Sequence, residues 1–369
     1  MKKSYLFVLL ILPVMLVLTA FILRYAHGPY YICSDTEQDY IYLISSLAMA
    51  ESKQVFYTDH PGTTLQILGA VTLKISHVLD YSEKDSLEYA VLKNPEHYLT
   101  MINIVLIALN AMMLFVIGLV TYHLTKNIGW SLLLQFTPFF SGIPLRWGLI
   151  QVSCEPLLLF VSMLFMLVLL KMVVSENLSG SIIGYAIVLA VVSGFGVATK
   201  VTFAPLMLIP LIALPKLRNK MVYLFLSGLS FVLWTWPIHL LYERIFKRIY
   251  HIITHTGWYG TGSSGVIEIV SLKNNLMNAL TGFLTEPVYP ILFFFIPFAI
   301  LLVVRHSKTV KATWKDISFR VMVAILFAQI FTGMIVVKQS AERYALPVLC
   351  LTGFLIFLIF IALQRHSDR

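Results

Sequence analysis

Side chains that can move protons are concentrated in one segment near the N-terminus. More than half of the 18 acidic residues lie between positions 35 and 96 of a 369-residue chain. Asp35 and Asp39 are four residues apart, so a helix running through them presents both carboxylates on one face. Asp59 and His60 follow, directly before a Pro-Gly pair that signals a turn. Carboxylates and an imidazole in one segment are the groups that general acid–base catalysis uses.

Local helix signals separate the roles of these carboxylates. Ser34 and Glu37 have the spacing of a capping box, in which the hydroxyl caps the helix and the carboxylate reaches back. Glu37 is therefore assigned to helix capping and to the helix dipole. Asp39 lies beyond the first turn, so capping does not account for it. The apolar residues of the same helix predict an amphipathic helix along the membrane interface.

The composition of the chain is that of a membrane protein. It is 59% hydrophobic and 12% charged, whereas soluble domains carry about 25% charged residues. Apolar runs near the roughly 20 residues that a bilayer span needs recur along the sequence. The positive net charge is not a nucleic-acid signal, because Lys and Arg sit at the ends of these runs. The predicted class is an all-α, polytopic transmembrane bundle.

The apolar runs predict about ten spans in one integral membrane domain, 1–369. Lys2 and Lys3 precede the first span, so the positive-inside rule puts both termini in the cytoplasm. Two long outer loops result, 24–99 and 243–286. Segments 182–199 and 201–215 are short and could form a hairpin that does not fully cross. The predicted spans are 5–23, 100–122, 128–145, 155–174, 182–199, 201–215, 221–242, 287–304, 321–338 and 345–363.

The second outer loop is basic, aromatic and rich in glycine. About half of the 27 Lys and Arg lie on the predicted outer face, which suggests an anionic partner there. Three of them stand between positions 244 and 248, where snorkelling and phosphate binding are equally good explanations. The glycine-rich stretch after them, with His255 and Tyr259, is either a mobile flap over an outer cavity or a plain flexible loop.

Several motifs resemble one known family. Asp35-x-x-x-Asp39-Tyr40 followed by Asp59-His60-Pro61-Gly62 resembles the first outer loop of the C-type glycosyltransferase superfamily. The closest pattern is that of its protein O-mannosyltransferase and aminoarabinose-transferase branch. The resemblance extends over about 1–215 and 339–363. The further matching motifs are Glu155-Pro156, Gly196-Val197-Ala198-Thr199-Lys200 and Glu342-Arg343-Tyr344-Ala345-Leu346-Pro347.

The resemblance implies an inverting transfer of a sugar from a polyprenyl-phosphate donor at the outer membrane face. It implies that Asp39 or Asp35 is the catalytic base and that Glu155 is a second acidic group. The chain departs from these relatives in having Gly62 in place of a second proline. It also lacks their adjacent Asp-Glu, so both aspartates stay candidates for the base. The residues expected near the lipid phosphate are His60, Lys200, Arg343 and Tyr344.

The expected partners are a polyprenyl-phosphate-linked sugar, the lipid bilayer, and a glycan, lipid or protein acceptor. The expected location is the bacterial cytoplasmic membrane. Carboxylate oxygens suit Mg²⁺ or Mn²⁺, so a divalent cation could take part, although no ligand spacing requires one. The alternative function is a non-enzymatic flippase or transporter of a lipid-linked sugar. A transporter site tends to lie near the membrane midplane, whereas the acidic cluster lies in a predicted outer loop.

Overall fold

The computed structural model of the protein describes residues 3–32, 36–80, 85–175, 178–265, 316–339 and 341–367, together with isolated positions between 273 and 314. The described chain is helical, and its extended pairings are isolated bridges between Pro61 and Lys200 and between His255 and Ser264. The predicted all-α class is therefore confirmed. The α-helices are α1 (Lys3–His27), α2 (Thr36–Ala50), α3 (Thr63–Leu79), α4 (Leu87–Lys93), α5 (Pro95–Thr125), α6 (Ile128–Gln135), α7 (Gly142–Leu149), α8 (Cys154–Val174), α9 (Leu178–Thr199), α10 (Leu208–Ala213), α11 (Leu217–Thr235), α12 (Tyr242–Thr254), α13 (Ile317–Gln339), α14 (Leu346–Leu349) and α15 (Thr352–Ser367).

Six helices of the described chain are long and apolar enough to cross a membrane, or seven if a bent pair counts as one span. α1, α5, α8, α9 and α13 contain the predicted spans and extend them at one or both ends. The apolar part of α9, Ile182–Thr199, has the length and composition of a spanning candidate, and its full crossing stays a prediction. Segment 345–363 corresponds to the bent pair, with an angle of 40° between its two parts. Segment 287–304 lies outside the described residues, and the count of ten stays a prediction.

Two other predicted spans are not single helices. Segment 128–145 is divided into α6, a 3-10 turn and α7. Pro138 lies in that turn and lacks a backbone N–H, while Ser141 accepts a hydrogen bond from the Ile143 N–H and starts α7. Segment 201–215 is a 3-10 helix with Pro205 inside it, followed by the short helix α10. Apolar runs predicted these segments, but proline in both, and the capping Ser141 hydroxyl in the first, mark where their helices break.

A third predicted span, 221–242, also ends early. α11 stops at Thr235, and a 3-10 helix with Pro237 near its start, Trp236–Leu241, leads into α12. Together α11 and α12 form the spanning candidate Leu217–Thr254. The amphipathic pattern of α12 therefore belongs to a separate helix after the apolar part of this run.

The predicted first outer loop is itself helical. α2 packs on α3 through buried Tyr42, Leu43 and Leu65, and this cluster continues into Leu99 near the start of α5. α2 begins at Thr36, where the capping signal predicts a helix start, although Ser34 and Asp35 lie outside the described residues. The loop is therefore a packed cap of helices on one end of the bundle.

α8 is the central helix of the bundle. Its most apolar window is 78% buried, whereas the corresponding window of α1 is 28% buried. α5, α7 and α9 all contact α8, and α14 closes on it from the C-terminal part of the chain. The residues at the N-terminal end of α8 are therefore enclosed by helices from distant parts of the sequence.

α9 and α11 approach each other at Gly194. A Cβ built on Gly194 would lie 2.5 Å from the Cβ of Ser230 and 2.6 Å from the backbone oxygen of Ser227. The Ser230 hydroxyl donates to the Val191 carbonyl at 3.0 Å, so the contact is both tight and hydrogen-bonded. Small residues that let two helix backbones approach are a common device of membrane helix packing.

We expect Gly194→Ala to lower the free energy of unfolding by about 1–3 kcal/mol, the usual cost of overpacking. Thermal unfolding of the detergent-purified protein measures this. Gly184→Ala is the matched control on the same helix, because a Cβ there meets nothing within 4 Å. Equal melting temperatures for the two variants would contradict the proposed close contact between α9 and α11.

Candidate functional site

A buried ion pair joins α8 to the end of α9. Glu155 lies in the first turn of α8, where a carboxylate is stabilised by the helix dipole. Lys200 follows the last residue of α9, and its ammonium group donates a hydrogen bond to Oε1 of Glu155. Each side chain is only 1–2% exposed. Burial of both charges is tolerable because each compensates the other.

Backbone pairing with the first loop holds Lys200 in this position. The residue has extended dihedral angles, φ −157° and ψ 132°, and it forms the isolated bridge with Pro61. The N–H of Val201 donates to the carbonyl of His60 at 3.0 Å. α9 therefore ends where the chain turns to pair with the His60–Pro61 turn, and that break directs the Lys200 side chain towards Glu155.

A second cation reaches the same carboxylate from the C-terminal part of the chain. Arg343 belongs to the 3-10 helix Glu342–Ala345, and its Nε lies 3.8 Å from Oε1 of Glu155. Its guanidinium group lies over the Trp147 ring, 5.0 Å from the ring centroid. The Lys200 ammonium lies 5.2 Å from the centroid of the Tyr344 ring. Cation–π contacts of this kind are stronger where water is excluded.

Lys200, Glu155 and Arg343, referred to below as the buried charge cluster, thus hold two cations and one carboxylate. Oε2 of Glu155 is buried and makes no hydrogen bond to any of the described residues. An unsatisfied buried acceptor is costly, so this oxygen is suited to a donor such as a ligand hydroxyl. The cluster can therefore receive an anionic group at its cations and a hydroxyl group at Glu155.

His60 borders the cluster as a neutral imidazole. Burial is the main cause that lowers the pKa of His60 well below its usual value, and the charge of Lys200 lowers it further. The Glu155 carboxylate opposes this shift but does not overcome it. A neutral imidazole offers one donor and one acceptor, so His60 can hydrogen-bond a phosphate oxygen without adding a charge.

Asp39 lies at the same end of α8. Its side chain is fully buried, and Oδ1 accepts a hydrogen bond from the N–H of Val152 at 2.5 Å. Tyr42, one turn further along α2, contacts the Cys154 thiol through its hydroxyl at 2.8 Å. These two contacts dock α2 onto the residues just before and at the start of α8. Asp39 is thereby brought to the chain segment that carries Glu155.

Tyr259 covers the site from the second predicted loop. Its hydroxyl accepts a hydrogen bond from the Tyr344 hydroxyl at 3.2 Å, and its N–H donates to the Gln339 side chain at 3.0 Å. Tyr259 has a positive φ of 54°, an uncommon conformation for a residue other than glycine. His255 instead contacts His251, with the ring centroids 4.5 Å apart and the ring planes tilted by 32°. Of the two predicted flap residues, Tyr259 contacts the site.

The structure thus brings together Glu155, Lys200, Arg343, His60 and Tyr344, and Tyr259 contacts this group through Tyr344. Asp39 lies nearby, bonded to the N–H of Val152. Asp35 lies outside the described residues. Sequence reasoning missed Trp147 and Gln339, because an aromatic ring and a neutral amide near helix ends give no distinctive signal. Among the described residues there is no group of three or more His, Cys, Asp or Glu that could hold a metal ion. A role for Mg²⁺ or Mn²⁺ stays a prediction.

The chain matches no protein-family model, and no curated protein or solved structure is significantly similar to it. The resemblance to the C-type glycosyltransferases therefore rests on the sequence motifs alone.

We expect Glu155→Gln to lower the free energy of unfolding by about 3–5 kcal/mol, the usual cost of breaking a buried ion pair from one side. Lys200→Met should cost less, because Arg343 stays near the remaining carboxylate. The double variant Glu155→Gln/Lys200→Met should be more stable than the sum of the single losses predicts. Thermal or denaturant unfolding in detergent gives all three values. Additive losses would show that the two side chains are not coupled.

Proposed function

We propose that the protein is a membrane glycosyltransferase that moves a sugar from a polyprenyl-phosphate donor to an acceptor on the outer face of the membrane. The observation that carries this proposal is the buried charge cluster, in which two cations converge on a single carboxylate. A site of this composition attracts an anion into an apolar surrounding. A phosphate attached to a long isoprenoid chain combines an anionic group with an apolar body.

Lys200 and Arg343 suit a reaction that breaks the bond between a sugar and a phosphate. In an inverting transfer, the acceptor hydroxyl attacks the anomeric carbon of the sugar while the bond from that carbon to the phosphate oxygen breaks. The phosphate leaves with the bonding electrons and gains negative charge. Lys200 and Arg343 are positioned to stabilise that charge, and preorganised cations in a water-poor site are effective at this task. His60 and Tyr344 add hydrogen-bonding groups beside them.

The acceptor hydroxyl also loses a proton, and a carboxylate must accept it. Asp39 is our first candidate, because its contact with Val152 keeps it at the end of α8 near Glu155. Asp35 is the second candidate by its spacing in the sequence. Glu155 is better suited to positioning, since Oε1 is held by Lys200 while Oε2 can accept a hydrogen bond from a sugar hydroxyl.

The location proposed with this function is the bacterial cytoplasmic membrane, with both termini in the cytoplasm. The acceptor is a glycan, a lipid or a protein. A divalent cation could share the stabilisation of the phosphate, since the proposed donor carries the hard oxygen ligands that Mg²⁺ prefers. Tyr259 would have to move for a large donor to reach the cluster, because its loop contacts Tyr344 and Gln339 there.

A flippase or transporter of a lipid-linked sugar is the second candidate. One observation favours it: Lys200 stands at a break between α9 and the following 3-10 helix. Transporters often build their substrate sites at such interrupted helices. The two functions differ in chemistry, because a transporter needs cations for the phosphate but no base for an acceptor hydroxyl.

We expect Asp39→Asn to reduce sugar transfer by at least roughly 100-fold, since a general base typically contributes 10²–10⁴-fold. The assay uses purified protein reconstituted in liposomes with a polyprenyl-phosphate-linked sugar, and it detects sugar transferred to added membrane extract by mass spectrometry. Asp35→Asn is tested in parallel, because its loss of activity instead would exchange the two roles.

The matched control is Asp80→Asn, which removes a carboxylate from the same predicted loop. Asp80 pairs with His97 at 3.0 Å, is partly exposed and has no contact with the cluster residues. Its transfer rate should equal that of the wild type. Wild-type transfer by Asp39→Asn, Asp35→Asn and the double variant would contradict the assignment of the base to either aspartate. Translocation of the lipid-linked sugar without any transfer by the wild type would contradict the transferase and favour the transporter.

A further inference from the structure

α12 has two chemically different faces. Its cations and His251 lie on one side, whereas its apolar side chains lie on the other. Ile245 is buried against Val55 and Ile238, which fixes the helix to the rest of the protein. Phe246 and Ile253 are nevertheless more than half exposed. An exposed apolar stripe beside a basic face is typical of helices that lie in the membrane interface.

The basic face of α12 lines an open cleft of about 690 Å³. The glycine-rich loop also lines this cleft, through Tyr259 and Thr261. Leu240, which is 75% exposed, also lines it, so the cleft has an apolar edge. The charged and titratable lining residues are Arg244, Lys247, Arg248, His251 and Glu243.

The cations of this cleft differ in how far other groups of the protein already pair with their charge. Arg248 pairs with Asp59 at 2.5 Å and lies over the Tyr259 ring, so its charge is already compensated. Arg244 donates only a long hydrogen bond, at 3.4 Å, to the carbonyl of Phe56. Lys247 is exposed and makes no hydrogen bond or ion pair with the residues that the structure describes. Arg244 and Lys247 are therefore the cations that can bind a ligand, against the single carboxylate of Glu243.

We propose that this cleft binds the phosphate headgroup of an anionic membrane lipid, with the acyl chains lying along the exposed apolar stripe of α12. Arg244 and Lys247 would contact the phosphate, while Leu240 at the edge of the cleft and Phe246, next to Lys247 on α12, contact the chains. A soluble phosphate would use the cations but would leave those apolar side chains in water. A zwitterionic lipid would cover the apolar side chains but would bring no net charge to the cations.

This site is distinct from the buried charge cluster and does not depend on the proposed transfer reaction. Tyr259 nevertheless contacts both, since its ring meets Arg248 at the cleft and its hydroxyl meets Tyr344 at the cluster. A lipid in the cleft would therefore lie against the same loop that contacts Tyr344 beside the cluster. Binding of the lipid is measured without any assay of transfer, so the two proposals can fail separately.

The test is native mass spectrometry of the detergent-purified protein titrated with phosphatidylglycerol or with phosphatidylcholine. The wild type should bind phosphatidylglycerol more tightly than phosphatidylcholine. Arg244→Ala/Lys247→Ala should weaken phosphatidylglycerol binding by roughly 30-fold, the factor that corresponds to about 1 kcal/mol for each cation at a membrane surface. Lys74→Ala, which removes an exposed cation from α3, is the matched control and should bind like the wild type.

Further variants and a competitor make the result decisive. Phe246→Ser should weaken binding of phosphatidylglycerol as well, because it removes part of the apolar stripe. Lys247→Glu is a single exposed change that keeps the test informative if the double variant folds poorly. Unchanged affinity in the Arg244 and Lys247 variants would overturn the proposal. Displacement of the lipid by inorganic phosphate at equal concentration would also overturn it, in favour of a soluble-anion site.

Discussion

The buried carboxylate of Glu155 holds together the helices that meet at the N-terminal end of α8. A charge buried in an apolar bundle is stable only next to an opposite charge or hydrogen-bond donors. Lys200 and Arg343 therefore both turn towards Glu155, although they come from chain segments that are far apart in the sequence. This requirement joins the start of α8, the end of α9 and the 3-10 helix before α14. The His60–Pro61 turn joins the same assembly through its backbone pairing with Lys200 and Val201.

The same constraint explains which site residues could be predicted from the sequence. Glu155, Lys200 and Arg343 could be identified in the sequence because a charge in or beside an apolar run costs free energy. Such a charge therefore indicates a structural or functional role. The order of the motifs then suggested that they meet, and the structure brings them together. The contact between Asp39 and Val152 could not be predicted, because its donor is a backbone N–H that carries no sequence signal. Trp147 was missed for a similar reason, since aromatic residues near span ends are common.

As with the site, part of the fold could be predicted from the sequence and part could not. Apolar runs located α1, α5, α8, α9 and α13, because hydrophobic length is what a membrane span requires. The breaks inside 128–145 and 201–215 depend on local backbone chemistry, in which Pro138 and Pro205 lack the backbone donor and, in the first segment, the Ser141 hydroxyl caps the next helix. The sequence shows these prolines, but a membrane helix can also continue through proline with a kink. Pro138 and Pro205 in the sequence therefore do not predict whether a helix kinks or ends there.

If the buried charge cluster receives a lipid phosphate, the affinity of the protein for a polyprenyl phosphate without sugar must depend on the charges of that cluster. Lys200→Met should weaken binding, because a cation that contacts the phosphate is lost. Glu155→Gln should strengthen it, because the competing internal anion is lost while the shape is kept. The measurement is microscale thermophoresis or native mass spectrometry, at a temperature where all three proteins are folded. Opposite changes in the two dissociation constants are the predicted result, and wild-type affinity in both variants would contradict the account.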